Sequence, residues 1–80
     1  ALRLGEESLA FRKRILPSDH PDIGTSMNNL ALTYLNLGRH EDALRLGEES
    51  LAFRKRILPS DHPDIATSMN NLASTYSAFV

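Results

Sequence analysis

Apolar residues in the stretch 22–37 fall at Ile23, Met27, Leu30, Ala31, Tyr34 and Leu37, the spacing of one stripe along a 3.6-residue helix. Residues 41–58 repeat the pattern with Ala43, Leu46, Phe53 and Ile57, flanked by a second row of Leu44, Leu51 and Leu58. The segments between the stripes carry stop and start signals. Pro17 ends the helix before it, because it lacks an N–H and pushes the preceding residue out of helical geometry. Pro21 sits in the first turn of the next helix, where a missing donor costs nothing, and Asp22 complements the positive helix N-terminus. Either Asp19 or His20 is the N-cap. Gly38 stops that helix, and "RHE" turns tightly into the next. The pattern predicts helices over about 1–16, 22–37, 41–58 and 64–79, each antiparallel to the next across a short connection.

The second half of the chain restates the first. Residues 1–38 laid over 43–80 differ only at Gly24/Ala66, Leu32/Ser74 and the last four pairs, so 32 of 38 positions are identical. The stretch "ILPSDHPDI" accordingly occurs twice, 42 residues apart. It is helix punctuation, needed once per unit. A period in the 20–50 range marks a solenoid, whose units bury their apolar faces only by stacking on neighbours. The expected class is therefore all-α, with residues 1–80 forming one repeat fragment of four helices. The chain begins at Ala1 rather than Met, with a second helix that lacks its first, which predicts a piece of something longer.

Composition narrows the function more than the fold. The chain is 41% hydrophobic and 24% charged, an ordinary globular balance. Nine basic and ten acidic residues leave a net charge of −1, which argues against a nucleic-acid footprint or a polybasic membrane anchor. There is no cysteine, so disulfide and thiolate chemistry are excluded and a reducing, cytoplasmic setting is comfortable. No apolar run approaches the roughly 18 residues of a membrane span. His20 and His62 lie between carboxylates in "SDHPD", but metal ligation needs side chains converging on one point, and capping is the simpler role. Ser18, Asp19 and His20 name a hydrolase triad, yet adjacent residues of one turn cannot form the relay. The basic "FRKR" closes a helix whose middle carries "GEE", an order that complements the helix dipole. No enzyme activity and no cofactor are expected.

At "NNLALTYLNLGRHEDAL" the chain resembles a tetratricopeptide repeat, through Asn29, Leu30, Ala31, Tyr34, Gly38, Glu41, Asp42 and Ala43. The 42-residue period and "DHPDIATSMNNLA" are similar to the kinesin light chain subtype, which also occurs as long arrays in fungal and bacterial receptor-like proteins. The resemblance covers the whole chain and implies a right-handed α-solenoid of antiparallel helix pairs. Gly5 and Gly47 depart from it, standing where the family usually has a large aromatic, as do Ser8 and Ser50 where it has Ala. Close backbone contact is the expected replacement for the missing ring.

The resemblance also implies a function, binding of a protein or peptide segment on the concave wall built from the first helix of each pair. The residues matching its ligand-facing positions are Thr25, Asn28, Asn29, Leu32 and Asn36, then Thr67, Asn70 and Asn71, with Leu35, Ser74, Ser77 and Ala78 beside them. An amide offers donor and acceptor together, so Asn29 and Asn71 suit an extended peptide backbone. The blander role for these amides is a bond to a neighbouring helix or to water. The alternative function is self-assembly. Leu4, Phe11 and Ile15 are expected to be exposed at one end and Met69, Leu72, Tyr76 and Phe79 at the other, giving head-to-tail chains or a helix-swapped dimer.

Overall fold

The computed structural model describes residues 2–79. It is all-α, with α1 (Leu2–Ile15), α2 (Pro21–Asn36), α3 (His40–Ile57) and α4 (Pro63–Ser77) packed as antiparallel neighbours. Each boundary has a local cause. His20 is the N-cap of α2, in extended geometry, and its Nδ1 accepts from the Asp22 N–H at 3.1 Å. His62 caps α4 in the same way at 3.0 Å. The imidazole thus takes the place that a carboxylate or hydroxyl usually fills, and Pro21 and Pro63 follow it in the first helical turn.

The α2–α3 connection is tight because Gly38 adopts φ +79°. Its N–H reaches Leu35 O at 3.1 Å and the Arg39 N–H reaches Tyr34 O at 2.9 Å, closing the last turn of α2. Beyond the glycine, Asp42 accepts from Arg39 at 2.7 Å and from Arg45 at 2.8 Å. These two cations hold its carboxyl below the usual carboxylate range. Arg39 also lies over the Tyr34 ring, 4.8 Å from its centroid.

The core runs between the helices as Leu9, Ile23, Met27, Leu30, Ala31, Leu46 and Phe53. Leu30 and Leu72 press on Gly5 and Gly47, where a Cβ would stand only 3.1 and 3.2 Å from their Cδ1 atoms. Leucine against bare backbone replaces the ring expected there. Leu37, counted in the α2 stripe, is exposed because it lies in the turn after the helix.

Successive helices are also tied by polar bonds that recur at the repeat period. Arg12 Nη1 donates to Asp22 O and Ser26 Oγ, and Arg54 Nη1 donates to Asp64 O and Ser68 Oγ. Tyr34 and Tyr76 donate their hydroxyls to Glu6 and Glu48. Partial desolvation and the adjoining carboxylate raise both phenols above their ordinary value. The basic "FRKR" segment is therefore partly structural. Arg12 and Arg54 join helices, while Arg14 and Arg56 cover the rings of Phe11 and Phe53.

Candidate functional site

Two kinds of surface remain open once these contacts are made, the inner wall and the two end faces. The inner wall follows from the unequal spacing of the helices. The backbones of α2 and α4 approach each other, whereas those of α1 and α3 stay further apart among the described residues. A stack whose first helices are closer than its second helices curves toward the first. The wall is therefore formed by α2 and α4.

Of the residues expected to face it, Thr25, Asn29 and Asn36 are exposed on α2 and Leu32 is half-buried, a row at helical spacing. Thr67, Asn70, Ser74 and Ser77 are exposed on α4, with Asn71 and Ala78 half-buried. Asn28 belongs to a different class. It is buried, and its Oδ1 accepts from Asn71 Nδ2 at 2.9 Å. Asn28 is thus a joint between α2 and α4 rather than an open reader, and one of the two Asn71 donors is spent on it. The two bonded residues stand 43 positions apart, one more than the period, so the bond links non-equivalent members of the two "NN" pairs. Thr33 and Thr75 turn their hydroxyls back onto the carbonyls four residues earlier.

The end faces emerge from comparing equivalent residues. Leu46 and Phe53 are each 8% exposed on α3, while their equivalents on α1, Leu4 and Phe11, are 70% and 51% exposed. Ile15 and Ser8 are exposed too, while their counterparts are half-buried (Ile57) and buried (Ser50). At the other end Met69 is 45% exposed and its equivalent Met27 only 7%. Ala66, Asn70 and Ala73 are likewise open where Gly24, Asn28 and Ala31 are buried. Tyr76 and Phe79 are exposed as expected, Phe79 with its ring edge-on to His40 at 5.9 Å.

Leu72 corrects the expectation. It is buried against α3, as Leu30 is buried against α1, because a solenoid helix covers two faces and Leu72 lies on the one already occupied. The residues missed by the stripe are Ala66, Asn70 and Ala73, polar or small members of the open face.

Among the described residues no group of three or more His, Asp or Glu is placed to hold a metal ion. No described helix is long and apolar enough to cross a membrane.

The geometry is that of stacked antiparallel helix pairs, and the sequence comparison agrees. The tetratricopeptide repeat model matches residues 1–22 and 23–64, and the chain belongs to the tetratricopeptide repeat family. No curated protein matches it. Among solved structures it is similar to a Podosopora anserina protein whose name pairs "kinesin light chain" with "nearly identical TPR-like repeats". That likeness has a TM-score of 0.84 at 32% identity and covers 96% of this chain. A single-substitution variant of the same protein gives 0.85 at 32% identity, again over 96% of this chain. The chain spans 36% of the length of each.

Proposed function

We propose that this chain is a non-enzymatic protein-interaction scaffold that holds an extended peptide or protein segment against the α2–α4 wall. The observation that supports this reading is the exposed row Thr25, Asn29 and Asn36 around the half-buried Leu32 on α2 of a tetratricopeptide fold. Exposed amides and hydroxyls around one leucine can meet a peptide backbone and a single apolar side chain together. The repeat period of 42 and the likeness to the Podosopora anserina protein support a kinesin light chain-like subtype within a longer array. The cysteine-free composition supports a cytoplasmic setting.

A peptide selected from a displayed library tests the reading. Leu32→Asp and Asn29→Ala are expected to weaken its binding, the amide change by about two- to tenfold, with helicity unchanged. Unaltered affinity in both variants would move the function off this wall.

A second reading is self-association, supported by the exposure differences at the two ends. Residues 2–15 have the same sequence as 44–57, the segment that covers α2. α1 of one molecule can therefore dock on α4 of another, bringing Leu4, Phe11 and Ile15 onto the face containing Met69. Such a contact is head-to-tail and does not close on itself unless the rotation permits a ring. In a longer chain, neighbouring repeats would cover the same two faces.

A further inference from the structure

We infer that Ala66 sets the strength of the joint between two copies of this chain, and that Asn29 and Asn70 supply its polar rung. The inference rests on the head-to-tail reading and names the residues that govern it. Inside the chain, α3 seats on α2 with the Phe53 ring against Gly24. A Cβ on that glycine would lie 3.1 and 3.2 Å from Phe53 Cδ1 and Cε1, and 3.4 Å from Arg54 Cγ. The absent methyl lets the ring sit closer, by a few tenths of an ångström, than an alanine would.

Within the helix α4 differs from α2 at three positions, Ala66 for Gly24, Ser74 for Leu32 and Ser77 for Leu35, and of these Ala66 is the one whose counterpart touches the Phe53 ring. Ile65, Met69, Asn70 and Ala73 match Ile23, Met27, Asn28 and Ala31, but Ala66 replaces Gly24. An incoming α1 carries the same ring and stem as α3, in Phe11 and Arg12. It therefore meets at Ala66 the methyl that Gly24 omits. Contacts near 3.1 Å are too close for a carbon pair at rest, whose optimum is roughly 3.5–4.0 Å. The ring must give by a few tenths of an ångström to seat there. The joint between molecules is thus a weakened copy of the joint within one.

The rung follows from the same superposition. α2 of the incoming copy lies beside α4 as α4 lies beside α2. Its Asn29 then reaches Asn70, as Asn71 reaches Asn28 at 2.9 Å. Both Asn29 and Asn70 are exposed in the single chain, so they are available for this pairing. Neither side chain takes part in a hydrogen bond among the described residues.

Sedimentation over a wide concentration range, with the 80-residue chain and three variants, tests the inference. Ala66→Gly is expected to lower the dissociation constant about fivefold or more, and Ala66→Val to raise it by a similar factor. That order opposes the one that added apolar surface alone would give. Asn70→Ala is expected to weaken association about two- to tenfold while leaving monomer unfolding unchanged. Association that strengthens from Gly through Ala to Val would overturn the role of Ala66, and an unaffected Asn70→Ala would overturn the rung. A wild-type chain that stays monomeric at millimolar concentration defeats the head-to-tail reading itself, as does a mass that stops at two chains through helix exchange.

Discussion

Asn71 Nδ2 donates to Asn28 Oδ1 at 2.9 Å, joining the two inner helices at positions offset by one from the repeat period. The bond is one rung of a ladder that each further unit would extend, because every unit carries both members of the pair. Removing the rung should be felt mostly as a coupling. A double-mutant cycle of Asn28→Ala and Asn71→Ala, followed by denaturant unfolding, is expected to show an interaction energy of about 0.5–1.5 kcal/mol. Strict additivity of the two substitutions would remove the rung from the account.

The turn after α2 depends on backbone geometry and not on space. Nothing lies within 4 Å of a Cβ on Gly38, yet its φ of +79° disfavours every L side chain. Gly38→Ala is therefore expected to destabilise by about 1–2 kcal/mol in denaturant unfolding. Gly38→Asn should cost less, since Asn tolerates the left-handed region better.

How far the sequence foretold this arrangement depends on the kind of contact. Four helices were legible because Pro17, Gly38 and Pro59 interrupt stripes of unmistakable period. The identity of the N-cap was not, since Asp19 and His20 both carry an acceptor and only the backbone places the imidazole two residues before the Asp22 N–H. Leu72 and Met69 looked alike on one stripe. In a stack they lie on different faces, one toward the helix already made and one toward the next. The Asn28–Asn71 bond was hidden for a related reason. Overlaying the repeats aligns Asn29 with Asn71, whereas the bond crosses that alignment by one residue.

Equivalent arginines offer a comparison within one molecule. Arg12 and Arg54 make the same two bonds, but the Arg54 stem also passes beside Gly24 of the preceding helix and the residue is buried. Arg54→Ala should therefore cost about 1–3 kcal/mol and exceed Arg12→Ala, because it removes packing from two helices as well as hydrogen bonds. Equal losses in unfolding experiments would mean that the stem contributes nothing.

Two groups give stability a pH dependence of opposite sign. Hydrogen bonds from Arg39, with lesser help from Arg45, lower the Asp42 carboxyl in the folded chain. Its contribution is full above the unfolded carboxylate value near pH 4 and is lost as pH falls through the folded one. Burial, then the hydrogen bond to Glu6, raises the Tyr34 phenol. Its contribution is full below about pH 10 and is lost as pH rises through the folded value. In unfolding measured across pH, Asp42→Asn should flatten the acid limb and Tyr34→Phe the alkaline limb. A variant that leaves its limb unchanged would remove that residue from the assignment.

The claim that the inner wall receives the partner is tested most directly by mapping a bound peptide onto an isotope-labelled chain through amide chemical-shift changes. The account predicts that the largest shifts trace Thr25, Asn29, Leu32 and Asn36 on α2 and Thr67, Asn71 and Ser74 on α4. Shifts confined to the outer surfaces of α1 and α3, with the α2–α4 row silent, would contradict it.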